Sequence, residues 1–394
     1  MGIARSSPRC VVSGSRPRIA RATCRCCRPS GASISTTSAL PSTIASRAIR
    51  RGRTRSVAAT RRPRPVGRRW LRPPRPRRRP SVSRLGELLD KGDELIITGE
   101  APVIDGGTLK DYEAKLAELA PWCDAMNATD NTAAHAHASN VAMAIAMQRV
   151  GVEPILQVVC RDKNRIAQQA DIMGVALHGV ENICCLTGDD VTAGDEPEAR
   201  RVFDLDGPQL VRLANSLKEG RYLSGRKIDP APSLVIGAVE NPATHPLDYR
   251  AQRAAKKILA GARFLQLQIC YHPERLEAFV AALHANGFTD KCAILPTVVA
   301  VKGPGPLRFM DSSVPGISVP VETIARVADA DDSAEEAYQL VLEQCQHALA
   351  LPGVRGLHLT DFRKDGSISR LCADLGIRPR SERESRANDF ALAN

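Results

Sequence analysis

From residue 93 onward, short apolar runs alternate with longer segments whose apolar positions recur at helical spacing. The runs Glu94–Ala101, Trp122–Thr129, Glu153–Cys160, Asn182–Asp189, Ser233–Glu240, Phe264–Tyr271, Ala293–Val299 and Gly356–Phe362 predict eight strands. Between them, Leu109–Leu119, Ala138–Arg149, Asn164–Leu177, Gln209–Leu217, Tyr249–Ala260, Glu274–Ala285 and Glu335–Leu349 predict helices. Gly151, Gly179, Gly261 and Gly287 follow four of these at the left-handed cap position. Eight βα units in about 300 residues fit an α/β fold of the closed (β/α)8 TIM-barrel kind. A doubly wound open sheet is the alternative, but no G-x-G-x-x-G follows the first strand.

The chain has 394 residues, 43% of them hydrophobic, enough for a large core and without an apolar run of membrane-spanning length. Its net charge of +12 is unevenly spread. Residues 1–84 carry 23 Arg, no Lys and no acid, so removing those 23 charges leaves −11 for residues 85–394. The first 84 residues are rich in Arg, Ser and Pro and poor in large apolar side chains, and are expected to be disordered. Three origins stay open: an organelle transit peptide, a binder of phosphate-rich partners through blocks such as Arg77–Arg79, or non-native sequence from an over-extended reading frame. The next Met after Met1 is Met126, so a later start would need another codon, near Val82. Trp70 is the one aromatic there, against a base-stacking surface, and no nucleic-acid partner is expected. The expected organisation is thus a basic extension (1–84), a barrel (85–380) and a C-terminal tail (381–394). The eight Cys beyond the extension are scattered, mostly within apolar runs, without zinc spacing. A reduced, cytoplasmic compartment and no structural metal are expected.

A barrel gathers its chemistry at the C-terminal strand ends, and polar residues cluster there. Strand one ends in Glu100, strand two runs into Asn127–Asn131, strand three into Cys160–Asp162, strand four into Thr187–Asp190 and strand five into Glu240–Pro242, while strand six carries Gln266 and Gln268. Apolar strands that close on carboxylates are hard to explain as packing, because an unpaired buried charge is costly.

The strand ending in Glu100, residues 124–131 (DAMNATDN), 160–165 (CRDKNR), 186–189 (LTGD), 257–262 (KILAGA) followed by Gln268, and Phe309-Met310 occur in that order. Together they resemble the methylenetetrahydrofolate reductase family over residues 93–378. The resemblance implies FAD bound across the C-terminal face and hydride transfer through flavin N5 between 5,10-methylenetetrahydrofolate and 5-methyltetrahydrofolate, with NADH, NADPH or a redox partner protein as electron donor. It implies a place in one-carbon metabolism and methionine biosynthesis, the physiological direction and the oligomeric state being left open. Reduction requires opening of the folate ring, hence a positioned acid. Glu100 matches that acid, and Asp189 a carboxylate near flavin and pterin. Thr129, Gln157, Thr187, Gly188, His245 and Lys257 match flavin-binding positions; Gln268 matches an amide on folate and Phe309 a stacking aromatic.

This chain also departs from the pattern. Ala101-Pro102-Val103 stands where the best-known members have Phe-Phe-Pro-Pro, Thr187 where they have Arg, Gln157 where they have His, and Leu267 where they have Thr. Blander roles compete: Glu100 as an ion-paired cap, Asp189 as a loop cap, Lys257 as one of a solvated pair with Lys256, Phe309 as core. Gln266 replaces Gln268 if the alignment slips by two. His135 and His137, placed on a helix, would point apart, which argues against a metal. The competing function is a non-redox pterin- or folate-binding methyl-transfer barrel, or a subunit that depends on a partner.

Overall fold

The computed structural model describes residues 83–384. Among them eight parallel strands close into a barrel in sequence order: β1 (Ile96–Glu100), β2 (Ala125–Ala128), β3 (Pro154–Val159), β4 (Asn182–Leu186), β5 (Val235–Glu240), β6 (Phe264–Leu267), β7 (Ala293–Ala300) and β8 (Gly356–Asp361). The seven expected helices are α2 (Leu109–Leu116), α3 (Asn140–Arg149), α4 (Arg165–Ala176), α5 (Gly207–Lys218), α6 (Leu247–Leu259), α7 (Pro273–Ala285) and α10 (Ser333–Ala350). Four more helices were not anticipated: α1 (Arg84–Lys91), α8 (Pro304–Ser313), α9 (Val321–Ala328) and α11 (Ser367–Asp374). Each has ten residues or fewer, as do α2 and α3, so length alone does not set them apart.

All eight expected strands are present, seven with trimmed ends and β7 one residue longer. β4 stops at Leu186 and β6 at Leu267, so Thr187–Asp189 and Gln268 belong to the loops beyond them. The seam pairs β1 with β8 and sets Thr98 beside His358, while β1–β2 pairing sets Glu100 beside Asn127. Side chains alternate between the interior and the helical layer, so these register pairs decide which polar groups meet inside.

The lower interior is apolar. Ile96, Ala125, Ile155, Cys184, Val235, Phe264, Ala293 and Leu295 pack there with Leu85 and Leu88 of α1, which plugs the N-terminal end. Gly237 makes room for this layer: a Cβ on it would lie 2.1 Å from the Phe264 ring. The plug is held at its N-terminus. Ser83 Oγ accepts from Gly86 N at 3.1 Å, Ser83 N donates to Glu181 at 2.7 Å, and Glu153 accepts from the amides of Arg84 and Leu85 at 2.8 and 2.9 Å. Carboxylates on the free amides of a first helical turn satisfy its donors and favour its dipole.

The expected disorder of the extension falls on residues 1–82, outside the described residues, whereas Ser83 and Arg84, counted with the extension, cap and open α1. Of the expected tail, residues 385–394 lie outside the described residues. Within its described part, Arg383 binds the fully buried Asp124 at 2.8 and 2.9 Å.

Candidate active site

The C-terminal strand ends surround a cavity of about 540 Å³. Its floor is the upper, polar half of the barrel interior. Glu100, the last residue of β1, projects into it and is held through one oxygen. Glu100 Oε2 accepts from Asn127 Nδ2 at 2.9 Å and lies 3.2 Å from His358 Nε2. Beneath them Asn127 and Gln266 exchange two amide hydrogen bonds at 3.0 and 3.1 Å, and His358 Nδ1 lies 2.9 Å from Thr98 Oγ1. Asn127, Gln266, Thr98 and His358 are all buried, so each polar atom needs these partners.

Asp189 lines the same cavity from the loop after β4. Burial pushes its carboxyl above the usual carboxylate range, and the nearby Arg161 guanidinium opposes the push. Arg161 is itself buried and donates to the Asp189 carbonyl at 3.3 Å and to both oxygens of Asp162 at 2.7 Å. Gly188 adopts a left-handed φ of +88°, and a Cβ there would lie 2.2 Å from Val159 Cγ2. The turn that presents Asp189 therefore needs glycine.

On the wall formed by β5 and α6, Glu240 is surrounded by cations. Lys257 Nζ lies 2.7 Å from it, Arg253 Nε 3.5 Å and Arg250 Nη1 3.6 Å. One carboxylate facing three cations leaves this wall with excess positive charge. Arg253 also donates to Thr187 Oγ1 at 3.2 Å, while its buried Nε has no hydrogen-bond partner among the described residues. Burial pulls the Lys257 ammonium below its ordinary range, and Glu240 opposes that pull. Lys257 is 3% exposed, which corrects its reading as one of a solvated pair: its position on α6 faces the barrel, while Lys256 reaches the ring of Tyr249.

Of the residues singled out in the sequence, Glu100, Gln157, Thr187, Gly188, Asp189, Lys257 and Gln268 line this one cavity. Gln266 lines it too: it belongs to the floor, whereas Gln268, past the strand end, belongs to the wall. Thr129 is buried, and its hydroxyl finds no partner among the described residues. Thr129, His245 and Phe309 lie outside the lining. His245 is exposed just before α6, and Phe309 is 58% exposed on α8, whose buried positions are Leu307 and Met310.

His135 and His137 are not on a helix. Ala133 and Ala134 take left-handed φ values of 54° and 62°, and the two rings stack 6.4 Å apart in the following loop. His137 pairs with Asp105 at 2.6 Å. The functional candidates that sequence reasoning passed over are His358, Arg161 as a cavity residue, and the Arg250–Arg253 pair. The last carried a signal: positions 250, 253 and 257 share one face of a helix.

No curated protein matches this chain. Among solved structures the fold is similar to an uncharacterized protein from Clostridium thermocellum that binds two copies of 5-methyl-5,6,7,8-tetrahydrofolic acid, with a TM-score of 0.52, 13% identity, and coverage of 73% of this chain and 96% of that one. An EDTA monooxygenase (EmoA) from Chelativorans sp. BNC1 matches with a TM-score of 0.44, 11% identity, and coverage of 73% and 95%. Residues 109–376 match the sequence pattern described as methylenetetrahydrofolate reductase, which spans α2 through the end of α11. With more than half of its length matched, and with a closed (β/α)8 barrel whose strand ends converge on one polar cavity, the chain belongs to the methylenetetrahydrofolate reductase family.

Proposed function

We propose that this protein is an FAD-dependent oxidoreductase that interconverts 5,10-methylenetetrahydrofolate and 5-methyltetrahydrofolate, with NADH, NADPH or a redox partner protein as electron donor. The observation that carries the reading is the convergence of Glu100, Asp189 and the Lys257 cluster on one cavity in a chain of this family. A protein of the same fold binds 5-methyl-5,6,7,8-tetrahydrofolic acid, and a folate is the ligand this reading assigns.

The residues present fit a flavin dinucleotide. The wall around Glu240 carries more cations than anions, which suits a pyrophosphate. Arg253 Nε, on the cavity wall, has no hydrogen-bond partner among the described residues, and a polar ligand could supply one. Lys257 and Arg253 would hold the phosphates, and Gln157, Thr187 and Gly188 the remainder. When bound, the cofactor supplies the hydride.

The chain's own contribution is protonic and positional. The folate's exocyclic carbon becomes electrophilic only when its five-membered ring opens to an iminium ion. The C–N bond that breaks leaves its electron pair on nitrogen, and Glu100 supplies the proton that nitrogen takes up. Asp189, kept partly desolvated, holds the pterin and its charge balance. Gln268 orients the folate through its amide.

The test is an absorbance spectrum of the purified full chain with and without added FAD, followed by anaerobic addition of donor and then of methylenetetrahydrofolate. The expected result is a flavin spectrum that a donor, or dithionite in its place, bleaches and the folate restores. A protein that takes up no flavin fails the reading, and a folate-binding protein without flavin favours the methyl-transfer alternative.

A further inference from the structure

The hydrogen bonds beneath Glu100 fix one another in order, starting from the carboxylate. A carboxylate oxygen accepts, so the Asn127 atom 2.9 Å from Glu100 Oε2 is its NH2 group. Asn127 then turns its carbonyl oxygen toward Gln266, whose NH2 group donates to it at 3.1 Å. That same NH2 group lies 3.3 Å from His358 Nδ1 and 3.4 Å from Thr98 Oγ1. The Asn127 NH2 group also lies 3.4 Å from His358 Nε2, but both its hydrogens are committed to Glu100 and Gln266, so Nε2, facing a carboxylate oxygen, has to donate and Nδ1 of the neutral ring has to accept. His358 Nδ1 is therefore bare, and the Thr98 hydroxyl at 2.9 Å completes its environment as a donor. The ring proton of neutral His358 then sits on Nε2, which faces Glu100 Oε2 at 3.2 Å.

We propose that His358 is a positioning residue for Glu100, locked by Gln266 and Thr98 as its neutral Nε2–H tautomer, so that the transferable proton of Glu100 is carried on Oε1. Two donors, Asn127 Nδ2 and His358 Nε2, converge on Oε2. A proton on that oxygen would face both, so the protonated acid has to carry it on the other. Oε1 makes no hydrogen bond among the described residues, and Glu100 lines the cavity. The network thus selects which oxygen is the donor and fixes the carboxyl plane from below. No catalytic contact with the folate is assigned to His358; it acts through Glu100, and this rests on the acid role proposed above.

The experiment has two arms on the full chain. Long-range proton–nitrogen correlation spectra of protein with nitrogen-15 histidine, with His358 identified by its loss in His358→Gln, report the tautomer directly. The expected pattern is a protonated Nε2 and a bare Nδ1; a protonated Nδ1 overturns the proposal. In the second arm, photochemically reduced wild type, His358→Ala and His358→Gln are mixed anaerobically with methylenetetrahydrofolate. His358→Ala should slow flavin re-oxidation about 10²-fold, the scale of a misplaced catalytic group. His358→Gln, whose amide can replace the Nε2–H donor, should recover to within about tenfold of wild type, the scale of one hydrogen bond. A wild type re-oxidised normally beside an equally fast His358→Ala, or a Gln variant as slow as Ala, overturns the positioning role alone. A wild type that methylenetetrahydrofolate does not re-oxidise overturns the acid reading and this proposal with it.

Discussion

Lys257 Nζ lies 2.7 Å from Glu240 Oε2, and both side chains are at most 4% exposed. Breaking a buried pair by removing one partner typically costs 3–5 kcal/mol. Arg253 and Arg250 remain at 3.5 and 3.6 Å from Glu240. Lys257→Met is therefore expected at the lower end, about 3 kcal/mol. Urea unfolding at unchanged m-value measures it. The same variant should weaken FAD binding, because the wall loses a cation. An unchanged midpoint would mean that the two arginines carry Glu240 alone.

Glu100→Gln is the sharpest test of the proposed acid. The amide keeps the side-chain shape, and the flavin cradle lies elsewhere, so the flavin spectrum and its reduction by the donor should survive. Re-oxidation by methylenetetrahydrofolate should fall by about 10²–10⁴-fold, the worth of a positioned acid. Stopped-flow traces of the two half-reactions separate the outcomes. Equal slowing of both, or of neither, removes Glu100 from the role.

Asp189 predicts a pH dependence. Its folded pKa is raised by burial, so the native state binds a proton that the unfolded chain releases more readily. Stability from this group is present below the ordinary carboxylate pKa and declines as pH rises through the raised value. Asp189→Asn removes that penalty. The flavin-free variant should melt above wild type at pH 7 to 8, with the difference vanishing near pH 4 as Asp189 protonates. A Tm difference of constant size across that range would point to a cause other than ionisation.

Gly237→Ala addresses the apolar floor. The new methyl would lie 2.1 Å from the Phe264 ring, deep among buried residues. Overpacking of this kind typically costs about 1–3 kcal/mol. Adding Phe264→Leu should recover part of the loss, as expected for two residues in contact. A thermal scan of both variants checks it, and additive effects would contradict the contact.

The barrel was legible because its strands are buried on both faces and read as apolar runs, each followed by a helix. Glu100 and Asp189 stood out by position, as carboxylates closing such runs. His358 did not, because a single histidine between Leu357 and Leu359 reads as a tolerated core residue. Only the β1–β8 seam, joining positions about 260 apart, brings it to Glu100. Phe309 keeps its place in the order of motifs, but it is exposed on α8 and is not among the residues that line the cavity. The His135–His137 segment misled for a local reason, since left-handed alanines are not expected from sequence.

The plug formed by α1 also orders the making of the protein. Leu85 and Leu88 leave the ribosome before the eight barrel strands, yet the surface that receives them includes Phe264 of β6 and Leu295 of β7. Docking therefore waits until most of the chain has been synthesised and the sheet has nearly closed. During that interval the segment that becomes α1 carries its leucines in water, too short to hold a helix alone, with the carboxylates of Glu153 and Glu181 that will hold its first turn arriving later in the chain. The first of the described helices thus packs on a surface completed only near the end of the chain, and a nascent chain halted before β7 would leave its two leucines without part of that surface.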